Sequence, residues 1–320
     1  MSLDLRKLTF HLQLLIWILV RFFIVAKIDF LSTVYADCYS FTSSIYFSIM
    51  QTMTKSPKEE AIERAILRKL QGSPLKDFTE AALNDPEINA YQEYANTTSI
   101  LRLKYNDHGP VHMRTVVLNA LTLAELLHES GILLNLEQEE TGSYDDSRAA
   151  LILAGLLHDI GMCATRMNHE NLSVSFAMPI ISRFLKTLYP EDIRKQVLLR
   201  GLCIECIAGH MGVVKVNSLE AGIILIADGA DMEKGRARIP MLLTHDAKVG
   251  DIHQYSSAAI ENLEIKHGAE KPIKIEILMK SDAGFFQVEE VLFPKLNMSP
   301  VKPYVELYAG VAGAPVKKYL

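Results

Sequence analysis

The chain has 320 residues, 49% of them hydrophobic, with a formal charge of −5, four cysteines and a single tryptophan. That length supports one large domain, or one with a small companion. The acidic balance provides no global field for nucleic acid, and none is expected as a partner. Cys38, Cys163, Cys203 and Cys206 are too few and too clustered for a disulfide framework, and Cys203-x-x-Cys206 inside an apolar run reads as packing.

Residues 1–53 form a hydrophobic N-terminal segment. Arg6-Lys7 precedes an uncharged run from Leu8 to Val20, followed by Arg21 and then Phe22 to Ala26. Three readings stay open. The start is assigned too early, with Met50 or Met53 just ahead of the first polar stretch. Or residues 8–26 contact a membrane as a tilted anchor with Arg21 reaching the interface. Or a signal is cleaved near Val34-Tyr35-Ala36. The remainder is expected in the cytoplasm, tethered to a membrane if the segment is an anchor.

Residues 54–252 read as a helical domain. Lys58 to Leu70 is amphipathic, with Ala61, Ile62, Ala65, Ile66 and Leu70 on one side, and Gly72-Ser73-Pro74 breaks it. Glu87 to Leu103 makes a second helix. A long one follows Pro110, which suits a first helical position, and runs to about Ser130. The acidic stretch Glu137 to Asp146 reads as a solvated loop, with Asp146 or Ser147 capping the next helix. That helix carries the apolar run Ala149 to Leu157 and ends in His158-Asp159-Ile160-Gly161. Asn168 is placed to cap a further helix, Glu191 to His210 makes another, and Ser218 to Asp228 the last.

After Pro240 the period changes. Ile273, Ile275, Ile277 and Met279 alternate with polar residues, which is strand spacing. Ile260 to Ile265, Phe285 to Leu292 and Tyr304 to Tyr308 are expected as further strands, with a crossover in Pro294 to Val301. Residues 253–320 are therefore expected to form a small α+β or β-rich module, a packing or oligomerisation surface.

His158-Asp159 closes a segment that is apolar all round and therefore buried. Two costly polar groups at the edge of a core are offset if they hold a cation. His112, His169, His210 and Asp228 stand at the ends of other helical segments, which strengthens the metal reading. Each alone has a plainer explanation: His112 as a satisfied helix-end histidine, His169 as an exposed first-turn residue, His210 as a cation at a helix C-terminus, Asp228 as a turn residue. His245-Asp246 does not end an apolar helix and is read as a decoy.

The order His112, His158-Asp159, Asp228 resembles the signature of the HD metal-dependent phosphohydrolase superfamily. That resemblance implies an all-helical bundle in which these four residues hold a divalent ion. His169-Glu170-x-x-Ser173 and His210 extend it toward the two-metal enzymes of the superfamily, where Asp159 would bridge and His169 and His210 would hold the second ion. Met162 stands where the cyclic-di-GMP branch has lysine, and no GYP motif is present, so that specificity is not carried over. Overall the chain is most similar to a largely uncharacterised, mostly archaeal group of HD proteins. The matching stretches are Tyr105 to His112, His158 to Met162, Asp228 to Arg238 and Pro272 to Val291.

The expected activity is hydrolysis of a small phosphate ester, a nucleotide or related compound, with His158 and Asp159 as catalytic residues. One or two ions of manganese, iron, cobalt, nickel or zinc suit imidazole and carboxylate donors. Such ions screen phosphate charge and lower the pKa of bound water from ~16 toward ~7. Arg114, Lys234, Arg236 and Arg238 are candidate phosphate contacts, although the last three also read as a solvated charge run. Asp231 is placed to orient a ligand, and His253 to reach the cleft. A diiron oxygenase with the same ligand order and a non-catalytic nucleotide sensor are the alternatives. A homo-oligomer is compatible with either.

Overall fold

Helix α1 (Pro57–Lys69) buries Ile62 and Ile66 of the expected side, with Leu70 just beyond it, whereas Ala61 is exposed and Ala65 half-buried. The computed structural model describes residues 55–103, 105–232 and 252–320. The segment 1–53, Lys234, Arg236, Arg238, His245 and Asp246 lie outside the described residues, as does the side chain of His253. Among the described residues no helix is long and apolar enough to cross a membrane.

The chain is mainly helical, with a small C-terminal sheet. After the break at Gly72-Ser73-Pro74 comes α2 (Leu75–Leu83), a helix that the spacing had not marked. In α3 (Pro86–Thr97) the Asp85 carboxylate accepts from the backbone N–H groups of Glu87 and Ile88 ahead of Pro86. The expected continuation to Leu103 widens into a π-helical turn, Thr98–Leu103. Then follow α4 (Pro110–Glu129), the single turn α5 (Asn135–Gln138) and α6 (Tyr144–Leu157). The acidic stretch is therefore not a plain loop. Ser143 is the cap of α6, where neither Asp146 nor Ser147 is, and Asp146 reciprocates by accepting from the Ser143 N–H.

Helices α7 (His169–Leu188), α8 (Ile193–Gly209) and α9 (Leu219–Gly229) complete the bundle. Helix α6 packs against α4, α8 and α9. Every residue from Ala149 to Leu157 is buried, because neighbours cover α6 on several sides.

Helix α10 (Ile252–Ala259) leads into β1 (Ile260–His267) and β2 (Ile273–Met279), paired antiparallel. Strand β3 (Val305–Val311) runs parallel to β2, and β4 (Lys317–Lys318) pairs antiparallel with β3. The expected strand at Phe285 to Leu292 is a π-helical turn over Gln287–Leu292, continued by α11 (Phe293–Met298). The parallel β2–β3 pair explains this: parallel neighbours need a long crossover, usually helical. Pro57–Leu320 forms one compact unit. Strands β1 and β2 touch α4, and α11 packs on α9, so the C-terminal segment reaches the helices that carry the candidate site.

Candidate metal centre

Six polar side chains converge, and each comes from the end of a helix. His112 sits in the first turn of α4, His158 and His210 follow the last residues of α6 and α8, and His169 opens α7. Asp159 begins the 3-10 turn Ile160–Cys163, and Asp228 lies in the last turn of α9. All six are buried.

Gly161 makes this convergence sterically achievable. A side chain there would place its Cβ 2.1 Å from the His169 carbonyl oxygen and 2.7 Å from the Ser173 nitrogen. With glycine, the Gly161 N–H donates to Ser173 Oγ at 2.8 Å. The turn after Asp159 thus docks on the first turn of α7, which brings His169 beside it.

Asp159 divides its two oxygens. Its Oδ2 lies 3.2 Å from His112 Nε2 and 3.4 Å from His158 Nε2. Its Oδ1 lies 2.9 Å from His169 Nε2 and 3.2 Å from His210 Nε2. Asp228 Oδ1 joins the first side, 3.3 Å from His112 Nε2 and 3.9 Å from His158 Nε2.

The other ring nitrogens are already committed. The Nδ1–H of His158 donates to the Gly155 carbonyl at 2.9 Å, that of His210 to Ile207 at 2.7 Å, and that of His169 to Arg166 at 2.9 Å. In each case the acceptor lies three residues earlier, and two of these carbonyls close a helix whose last acceptors lack intrahelical partners. His112 Nδ1 instead donates to Asp231 Oδ2 at 2.6 Å. In the neutral tautomers so fixed, every Nε2 carries a lone pair.

Those lone pairs face one another. His112 and His158 Nε2 are 3.2 Å apart, and His169 and His210 Nε2 are 3.1 Å apart. Two acceptors at such distances, with carboxylate oxygens alongside, repel unless a cation lies among them. The arrangement therefore fits metal ions. Two overlapping groups could hold one: His112, His158 and Asp228, and His158, Asp159 and His210.

Those lone pairs are the state an ion would meet; without one, hydrogen bonds to the carboxylates place protons on the same nitrogens. Burial would raise the Asp159 carboxyl, but the charge of His158 and hydrogen bonds from His112, His158 and His169 hold it well below its usual range. Asp228 is likewise raised by burial and held well below by Lys295, His112 and His158. Burial would lower His169, and contact with Asp159 reverses this. Burial dominates at His210 and keeps it low.

Arg114 requires a correction. It was expected to clamp phosphate, but it is fully buried and committed elsewhere. Its guanidinium donates to Glu63, Gln92, Asn89 and the Leu83 carbonyl, and pairs with Glu59. It ties α4 to α1 and α3.

Two residues were missed. Lys295 of α11 donates to Asp228 Oδ2, the oxygen turned away from His112. Arg166 lies against the ring of His169. A lone lysine in Phe-Pro-Lys-Leu and an arginine just before a methionine gave no periodic signal of either role. Cys203 and Cys206 are buried free thiols, the first pushed up to about 12 by burial and the second well above the usual value, which keeps both protonated and suits packing.

Uncharacterized protein MJ1020 of Methanocaldococcus jannaschii is 38% identical over 245 residues, spanning 77% of this chain and 92% of that protein. The chain belongs to the MJ1020 family. No family model matches the sequence, and no solved structure matches it. For the MJ1020 family, then, the chemistry has to be argued from the buried donor set itself.

Proposed function

We propose that the chain is an HD-type metal-dependent phosphohydrolase, cleaving a phosphate ester of a nucleotide or a related small compound. One observation carries the reading: Asp159 offers one oxygen to each of two histidine pairs. His112, His158, Asp228 Oδ1 and Asp159 Oδ2 would hold one divalent ion. His169, His210 and Asp159 Oδ1 would hold a second. Manganese, iron, cobalt, nickel and zinc all suit this nitrogen and oxygen set. When bound, such ions neutralise phosphate charge and lower the pKa of a water molecule in the site.

The residues of the chain supply the rest. Three carbonyls and Asp231 fix the ring orientations, so no reorganisation is needed to present Nε2. Lys295 occupies the outer oxygen of Asp228 and leaves the inner one for the centre. Burial of all six donors removes competing water and strengthens their field.

The test begins with metal-depleted protein reloaded with each metal in turn. Elemental analysis is paired with a screen of nitrophenyl phosphates and nucleotides. The expected result is two ions per chain, one for each side of Asp159, and hydrolysis that Asp159→Asn abolishes. Fully loaded protein without hydrolysis would overturn the proposal. Oxygen consumption by a two-iron form would favour the oxygenase instead, and metal-independent nucleotide binding without turnover the sensor.

A further inference from the structure

Arg166 is a guanidinium without an anion. Its Nη1 lies 3.3 Å from His169 Nδ1 and 3.5 Å from His169 Nε2. Near-equal distances to both nitrogens place it against the ring, addressed to neither nitrogen in particular. Its other neighbours are the thioether of Met211, at 3.8 Å from Nη1, and the ring of Tyr105, whose centroid is 5.7 Å from the guanidinium carbon. Among the described residues no carboxylate pairs with it, and no oxygen accepts from Nη1, Nη2 or Nε. By contrast, Arg114 pairs with Glu63 and Glu59, Arg183 with Asp85 and Glu87, and Arg148 with Asp145.

The place matters as much as the vacancy of its donors. Arg166 is half-buried, three residues before His169, and its own carbonyl fixes that histidine. It therefore stands directly beside the His169–His210 side of the centre. Beside it Tyr105 is 44% exposed, its ring presented to solvent where a planar group could lie. A planar cation with unused donors, adjoining a buried donor set suited to metal, matches a phosphate oxygen pair. An exposed tyrosine ring next to it matches a stacked aromatic group.

We propose that Arg166 receives phosphate oxygens of the substrate on the His169–His210 side and that Tyr105 stacks on its base, so that the site selects a nucleoside monophosphate over a phosphate lacking an aromatic ring. The inference rests on the phosphohydrolase reading and gives it a substrate class. Arg166 takes the part that Arg114 cannot, because Arg114 is enclosed by internal acceptors.

Binding, measured apart from turnover, tests it. Manganese-loaded protein is titrated calorimetrically with inorganic phosphate and with AMP, and manganese content is determined for every variant. Arg166→Met is expected to keep its manganese and to weaken both ligands by about ten-fold or more, the loss of a charge-assisted hydrogen bond. Arg166→Lys restores part of the affinity, since charge returns without the fork. Tyr105→Ala weakens AMP by about five-fold or more and leaves inorganic phosphate unchanged. Unaltered phosphate binding in Arg166→Met at full manganese content overturns the role of Arg166. Equal effects of Tyr105→Ala on both ligands overturn the stacking. If wild-type protein hydrolyses phosphate esters while Arg166→Met matches it in KM and binding, only this inference fails. If loaded wild-type protein binds neither ligand and hydrolyses nothing, the phosphohydrolase reading fails with it.

Discussion

Asp231 accepts the Nδ1 proton of His112 at 2.6 Å, so a residue outside the donor set decides which nitrogen of the histidine faces inward. The other three histidines use backbone carbonyls for the same purpose, which no side-chain substitution can remove. Asp231→Asn leaves the shape nearly intact but weakens the acceptor and permits the wrong tautomer. Metal affinity should fall by about 10- to 100-fold, read by competition with a chromophoric chelator, while the melting temperature of metal-free protein changes little.

The divided carboxylate of Asp159 predicts a stoichiometric pattern. His210→Ala removes a donor from the Oδ1 side only, so one ion should remain. Asp159→Ala takes an oxygen from both sides and should reduce tight binding at both. Elemental analysis after gel filtration distinguishes these outcomes. Equal loss in the two variants would contradict the two-sided arrangement.

Lys295 neutralises Asp228 from the opposite side. Lys295→Met leaves a buried carboxylate without its cation, which costs the metal-free fold about 3 kcal/mol. A divalent ion at Asp228 Oδ1 would restore the missing charge. The rise in melting temperature on metal addition should therefore be larger in the variant than in the wild type. Calorimetric melts with and without manganese measure it.

Away from the centre, Asp146 contributes to acid stability. Burial would raise the Asp146 carboxyl, but Tyr189, Ser143 and Lys195 hold it below its usual value. A depressed folded pKa gives stabilisation that is complete above the unfolded value of ~3.9 and lost as pH falls through the folded value. Asp146→Asn should therefore cost about 2 kcal/mol at pH 7, and the difference should vanish well below pH 4. Urea midpoints across that range give the comparison.

The sequence revealed most where burial was one-sided or complete. Ala149 to Leu157 had to be interior because no polar residue interrupts it, and its terminal His158-Asp159 then had to be accommodated. The spacing of α4 was equally plain. Local chemistry was harder to read where two caps compete: Ser143 and Asp146 both suit a helix start, and only their reciprocal bonding separates them. Gln287–Leu292 misled because Phe, Val and Leu favour strands while Val288 and Leu292 recur at helical spacing. Its conformation follows from β2 and β3 being parallel, a nonlocal fact. Arg114, Arg166 and Lys295 differ only in their spatial partners: one is enclosed by oxygen acceptors, one lies against a histidine ring and a thioether, and one has the carboxylate of the centre itself.

All six converging side chains sit where helices start or stop. Helix ends are where backbone hydrogen bonds open first. A cation gripped there would act as a rivet through several fraying tips at once, and amide protons in those turns should exchange far more slowly in loaded protein than in stripped protein. Occupancy and rigidity at this pole of the bundle would then be a single quantity, set by how much free metal the surroundings offer.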